Sequence, residues 1–424
     1  MNELNLLILN CLLYIGAFMF FLKKYSIINI STILFLLYSL SSVFSLLYFQ
    51  SPLYYSTFTS SGIINIEAIL YLFLLNFIFC SSFRNFRFNQ EGQIVNLKYK
   101  VIDNFVKIIF FVNLISLLAS LPDLINMATT GSFAAMKGDV YETGGIIHNW
   151  FIIDLFNRIF GAFKFLLLLW PLYNYLILKR KRKIDMYFSI LYVLIVFQTV
   201  IIMVSRSILF IALIEILFIV VIFKDFLKDK IKAKTVVITG SILTIFYMIF
   251  DFMSNSRFGG NTAYEKAAKA FATLRYAGEG QLNFIGLMYG NLHGNCYGYK
   301  MFPFFRRLLG LPYYGDSGVD KSYGVAYLDK LNPNPNFVYY QFAGEMYFNW
   351  GAIGAILIAC LFHFYINNMI CKKQYISFTN LLFVSWSAAI LGVGIFFNNI
   401  LGDASNFFFI ILILLSISMR RKVA

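Results

Sequence analysis

Arginine is the residue type through which this chain can handle an anion. Arg206 sits in Val204-Ser205-Arg206-Ser207, at a tight turn between two apolar runs, with a hydroxyl on each side. Arg257, Arg275, Arg306 and Arg307 lie in the long polar and aromatic stretch 253–341. A guanidinium is planar, permanently charged and able to grip two phosphate oxygens at once. Such groups stabilise a departing pyrophosphate without a metal, by neutralising the charge that develops as it leaves. No Asp-x-Asp occurs, so the usual carboxylate pair for a divalent metal on a nucleotide sugar is missing. No P-loop, GxGxxG or Ser/His/Asp arrangement sits in a fitting context, and no CxxC pair or His-rich cluster marks a metal site. The expectation is chemistry with no metal and no cofactor.

An attacking hydroxyl needs a base. His293, in Asn291-Leu292-His293-Gly294-Asn295, is the histidine of the long stretch, and Glu279, Asp316 and Asp320 are its carboxylate candidates. A lone loop histidine is more often a surface residue, so the choice stays open. Arg275 and Glu279 stand four residues apart and fit one helical turn. Tyr276, Tyr297, Tyr313, Tyr323 and Tyr340 present faces that stack on sugar rings, although tyrosine also anchors chains at membrane interfaces.

The elements that must position these residues are helices in a membrane. The 424-residue chain is 60% hydrophobic and 13% charged, with a mean hydropathy of +0.73. Soluble domains do not have this composition. About eleven apolar runs match the ~30 Å hydrocarbon core, near 3–22, 27–49, 62–82, 102–121, 150–178, 184–204, 207–223, 235–252, 342–370, 378–398 and 400–419. The fold class is therefore all-α: one polytopic membrane domain over 1–424, carrying one long outer loop, 253–341.

The net charge of +15 does not point to nucleic acid. Its clusters at Lys23/Lys24, Arg84 to Lys100, Lys179 to Lys183, Lys224 to Lys234, Lys372/Lys373 and Arg420 to Lys422 follow alternate spans on one side. The positive-inside rule makes that side cytoplasmic, with the N-terminus outside and the C-terminus inside. The N-terminus lacks the positive start of a secretory signal. Of five cysteines, Cys296 alone lies in the long loop, so no disulfide staples that loop internally.

Ionisable residues inside a bilayer are costly and mark function by default. Glu67, Asp154, Arg158, Arg206, Asp251, Glu345 and Asp403 fall in the outer parts of their spans; Lys164, Glu215 and His363 lie deeper. This asymmetry fits one outward-facing polar cavity, although end charges also snorkel to the interface. Within the loop, Thr262-Ala263-Tyr264-Glu265 has the form of a capping box. Ala267, Phe271 and Leu274 come next at helical spacing, and Gly278 and Gly280 end the pattern. The expected element is an amphipathic helix on the outer surface or over the cavity.

Gln341-Phe342-Ala343-Gly344-Glu345-Met346-Tyr347-Phe348-Asn349-Trp350-Gly351-Ala352-Ile353-Gly354 resembles the Glu-x-Tyr-x-Asn-aromatic-Gly-x-x-Gly stretch after the large outer loop of bacterial O-antigen polymerases. Val204-Ser205-Arg206-Ser207-Ile208-Leu209 is similar to their Ser-Arg hairpin, and Arg275 with Gly286 matches an arginine-glycine spacing of some members. The resemblance covers roughly 190–370 and the general layout; the outward N-terminus departs from many members. It implies a GT-C-like, metal-independent inverting glycosyltransferase at the periplasmic face of the bacterial inner membrane. The enzyme would join undecaprenyl-pyrophosphate-linked oligosaccharide units, with membrane lipid and a chain-length regulator protein as further partners. With this reading the candidate catalytic residues are His293, Glu279 and Arg275, and the candidates on pyrophosphate or sugar are Arg206, Arg257, Arg306, Arg307, Glu345 and Tyr276. An O-antigen ligase using the same donor, and a flippase for the lipid-linked unit, are the alternatives.

Overall fold

A computed structural model describes residues 2–51, 64–88, 99–130, 155–156, 159–202, 207–227, 274–275, 277–288, 301–311, 341–371, 376–396 and 403–419. Every regular element among them is helical. Sequence sets several of the starts directly. The helix Ile30–Phe49 (α2) begins after Asn29, whose side chain accepts from the Ser31 N–H. Ile66–Ser81 (α3) begins after Asn65, whose side chain takes the Ala68 N–H at 2.7 Å. Each cap satisfies a first-turn donor that has no partner within its helix. Glu3–Lys24 (α1) places Glu3 in its first turn and Lys23 and Lys24 in its last, complementing the helix dipole at both ends.

The remaining elements are Tyr99–Thr130 (α4), Leu166–Leu176 (α5), Lys183–Ile202 (α6), Ser207–Ile222 (α7), Lys224–Leu227 (α8), 277–283 (α9), Pro303–Leu308 (α10), Gln341–Phe364 (α11), Phe378–Val393 (α12) and Asp403–Met419 (α13). Among the described residues, five helices are long and apolar enough to cross a membrane: Glu3–Lys24, Ile30–Phe49, Tyr99–Pro122, Lys183–Ile201 and Gln341–Ile370. Shorter apolar helices occupy Ile66–Ser81, Ile208–Ile222, Phe378–Val393 and Ser405–Met419. These fall on expected apolar runs; the run at 235–252 lies outside the described residues. Within the expected span 150–178, residues 155–156 and 159–160 are helical, a tight turn at Gly161–Phe163 follows, and α5 begins at Leu166; 150–154 and 157–158 lie outside the described residues.

Exposed helix faces are apolar, and the buried faces mix apolar with polar side chains. Along α1, Ile8, Leu12, Ile15 and Met19 form one exposed row, with Leu12 61% exposed, while Asn10 is fully buried. Ser31, Ser39, Ser41, Ser42 and Ser45 line the buried side of α2. Helices with this polarity suit a lipid surround, where small and polar residues mediate helix–helix contact.

The described chain forms two compact units. Unit one comprises Met1–Arg87, Ala267–Gln374 and Val384–Asn406, and unit two Phe88–Lys266, Tyr375–Phe383 and Phe407–Ala424. In unit one, α1, α2 and α3 pack together and α11 packs on α3, around buried Tyr14, Phe21, Phe35, Tyr38 and Leu72. In unit two, α6 packs against α4, α5 and α7. There Trp170 stacks on Tyr173, and both rings meet Phe378 edge-on.

Candidate functional site

The interior of unit one holds the candidate site. Residues 277–283 are helical and continue into a π-helical turn, Phe284–Met288. Gly278 and Gly280 do not end the helix as expected; the chain runs helically through both. Their role is close approach. A Cβ on Gly278 would lie 2.6 Å from the Phe44 carbonyl carbon and oxygen and from the Ser45 nitrogen, all backbone atoms of α2. A Cβ on Gly280 would lie 2.9 Å from the Gln341 Cγ. The described part of this segment is therefore not a helix lying on the outer surface. Residues 278–286 are buried between neighbouring elements.

That position brings polar side chains inside. Arg275 Nε donates to Glu279 Oε2 at 2.6 Å, and Glu279 is 1% exposed. Burial pushes the Glu279 carboxyl above its ordinary range, and the Arg275 guanidinium pulls it part of the way back. Asn10 Nδ2 donates to Gln281 Oε1 at 2.6 Å, tying α1 to the same segment. The Ser41 and Ser45 hydroxyls donate to the Ala277 and Gly278 carbonyls at 2.8 and 2.6 Å. These bonds supply a second partner to carbonyls in a helix whose glycines bring its backbone against α2.

Helix α11 closes the site. Gln341 starts it with φ 56, a left-handed conformation that costs a non-glycine residue about 1–2 kcal/mol. Its side chain donates to Ser41 Oγ at 3.1 Å, and the Phe342 N–H donates to the Gly394 carbonyl at 2.8 Å. Gln341, Glu345 and Asn349 recur every four residues, and all three are buried. Asn349 Nδ2 reaches back to the Glu345 carbonyl at 2.8 Å. Among the described residues, the buried amide oxygens Asn10 Oδ1 and Gln341 Oε1 are acceptors of this site that receive no protein hydrogen bond. Acceptors this deep take water or a ligand hydroxyl.

At Gly351 the helix breaks, with φ 69 and ψ −179, a conformation open essentially to glycine alone. The Ala352 carbonyl just beyond the break accepts from the Tyr71 hydroxyl at 2.8 Å. Tyr71, Phe284 and Tyr347 pack as three mutually contacting rings. One aromatic group thus joins α3, the π-turn and the first half of α11.

Among the expected site residues, the structure brings Arg275 and Glu279 together and buries Glu345. Arg306 and Arg307 stand on a separate element, α10, the first half-buried and the second exposed. Arg206, Arg257, Tyr276 and His293 lie outside the described residues. His363, the histidine expected at depth, sits with Nδ1 3.1 Å from the Ile78 carbonyl and 3.3 Å from the Ser81 and Ser82 hydroxyls. It is held as a link between α11 and α3. Asn10, Ser41, Ser45, Gln281 and Gln341 are site residues that sequence reasoning misses. The available signal is polar residues at four-residue spacing within apolar sequence, as in Arg275/Glu279/Asn283 and Gln341/Glu345/Asn349. Among the described residues no group of three or more His, Cys, Asp or Glu could hold a metal ion. Comparison with family models, curated proteins and solved structures gives no match.

Proposed function

We propose that this protein is a lipid-carrier glycosyltransferase that joins undecaprenyl-pyrophosphate-linked oligosaccharide units, as an O-antigen polymerase does. The observation that carries the reading is the ion pair of half-buried Arg275 with buried Glu279 within a polar interior. A carboxylate whose proton affinity is raised by burial takes a proton more readily than an ordinary one, which suits a general base. In the proposed step Glu279 takes the proton of the acceptor hydroxyl. The oxygen attacks the anomeric carbon of the donor, and the bond to the pyrophosphate oxygen breaks with its electron pair. The pyrophosphate leaves with that charge, and arginines neutralise it. Gln341, Asn349 and Glu345 supply hydrogen-bonding groups to the sugar.

The test is purified protein in proteoliposomes given only lipid-linked repeat units. A polymerase produces a ladder of products. Glu279→Gln keeps the shape of the base but cannot accept the proton, and should lower transfer by about 10²–10⁴-fold. A wild-type protein that makes no ladder overturns the polymerase reading; one that transfers glycan only when lipid A core is added is a ligase.

The broken helix at Gly351 favours one second reading, because discontinuous helices beside polar groups also build transporters. In the same vesicles a transporter moves the lipid-linked unit to the opposite leaflet without joining it.

A further inference from the structure

Residues 301–311 form a small helical arm. Pro303 occupies the first turn of α10, where its fixed φ suits a helix start. The helix closes on Gly310 at φ 64: the Gly310 N–H bonds the Arg307 carbonyl at 3.1 Å, and the Leu311 N–H bonds the Arg306 carbonyl at 2.8 Å. This paired closure is a Schellman motif, and it sets the direction in which the chain leaves the helix. The end of the arm is apolar: Leu308 is 71% exposed, Leu309 70% and Leu311 45%. Arg306 and Arg307 immediately precede the leucines.

The base of the arm is tied to α11. Trp350 Nε1 donates to Met301 Sδ at 3.1 Å, and the Phe302 ring packs edge-on to Trp350. Trp350 directly precedes the break at Gly351. Beyond the break, 352–370 is helical and apolar. At 1.5 Å per residue its α-helical part, 352–364, is about 20 Å long, and the π-helical turn Tyr365–Ile370 extends it toward one hydrocarbon thickness. A span of that length would set Trp350 at the boundary where tryptophan settles between hydrocarbon and headgroups, and the base of the arm, Met301 and Phe302, is held against it.

We propose that Met301–Leu311 is a monotopic arm that inserts Leu308, Leu309 and Leu311 into the phospholipid leaflet at the level of Trp350, with Arg306 and Arg307 among the lipid phosphates. The charges complement anionic headgroups, and the leucines match the shallow depth of interfacial segments. The arm rests on the membrane reading of the chain and not on the glycosyltransferase reading. It gives Arg306 and Arg307 lipid phosphate as their partner, in place of a site on the sugar-carrying pyrophosphate.

The experiment places a nitroxide at Leu309→Cys in a variant whose native cysteines are serine. Nanodiscs contain phosphatidylethanolamine with phosphatidylglycerol. Relaxation by oxygen should exceed relaxation by a water-soluble nickel complex severalfold, approaching the ratio of a label at the lipid-facing Leu357→Cys. Labels at Arg307→Cys should fall between Leu309 and water. A Leu309 label reached freely by nickel overturns the proposal, because the arm is then in water. A label reached by neither reagent also overturns it, because protein then covers the leucines. If the serine background does not fold, Leu309→Trp in the native chain gives the same answer: brominated lipids should quench its added emission, and unquenched emission rejects insertion. Replacing the anionic lipid by phosphatidylcholine should make the insertion shallower; an unchanged depth removes the role given to the arginines.

Discussion

The two units place polar groups in opposite ways. In unit two the dense ionic cluster lies at helix ends. Arg182 grips Asp185 with two nitrogens, at 3.1 and 2.7 Å, and Asp103 with a third, at 2.6 Å. Trp170 and Lys107 also meet Asp103, and Asn174 meets Asp185. The result joins the starts of α4 and α6 and the body of α5. Deeper in unit two, Tyr192 donates to Glu215 at 2.6 Å with Lys164 close enough to act on that carboxylate, and Gln198 reaches Ser120 and the Ser116 carbonyl. Unit one instead buries amides, hydroxyls and the Glu279 carboxylate along a glycine-bearing helix in its middle. A helix-end cluster can fix how helices meet. Polar groups carried inward need a use that offsets their desolvation, and this is why the candidate site is assigned to unit one.

Breaking the helix-end cluster should give the largest stability loss. Arg182→Ala leaves Asp103 and Asp185 without their shared counterion. Removing one partner of a buried ion pair typically costs about 3–5 kcal/mol, and partial exposure of Arg182 places this one near the lower end. Thermal unfolding in detergent should show the loss, while the transfer rate per folded molecule stays unchanged. A folded Arg182→Ala protein with no transfer activity would erase the division of labour between the units.

The next effect is steric and belongs to unit one. Gly278→Ala sets a methyl group against α2 backbone, which cannot rotate away. Overpacking of this kind costs about 1–3 kcal/mol. Gly16→Ala is the control: a Cβ there meets nothing within 4 Å, and alanine improves helix propensity by up to about 1 kcal/mol. Equal melting temperatures for the two variants would mean that α9 does not lie against α2.

The smallest effect sharpens the chemistry. Arg275 lowers a Glu279 pKa that burial has raised. Arg275→Met removes the lowering contribution, so the acid limb of the rate profile should move to higher pH. The sign for stability comes from the raised folded pKa. The cost of ionised Glu279 is present above that pKa and is relieved as pH falls through it, more so in the variant. An acid limb at unchanged pH would separate Glu279 from the proton-transfer step.

Much of the fold is legible in sequence because the bilayer imposes length. The apolar runs at 3–22, 27–49 and 184–204 match α1, α2 and α6 with shifts of a few residues, since hydrocarbon thickness fixes how much chain must be apolar. The Arg275–Glu279 pair is legible for an equally local reason, the helical repeat. The rest depends on partners far along the chain. Asn10 meets Gln281 across 271 residues, and no spacing rule reaches that far. Gly278 reads as a stop because glycine commonly ends helices; its use against α2 becomes visible only when α2 is in place. The Pro303–Gly310 pair does carry a local start-and-stop signal, but a helix as short as α10 yields too little periodicity to reveal an element.

The break at Gly351 has a mechanical consequence. A bilayer that thickens or thins makes a spanning helix tilt, at a cost of fractions of a kcal/mol for each ångström of mismatch. In an unbroken helix that tilt would swing Gln341, Glu345 and Asn349 through the same angle. With the rod cut at Gly351, the lipid-matched length can lean while the segment bearing the amides keeps its bearing, held by Gln341 at one end and Tyr347 near the other. The glycine acts as a universal joint, isolating the polar row from the thickness of the membrane around it.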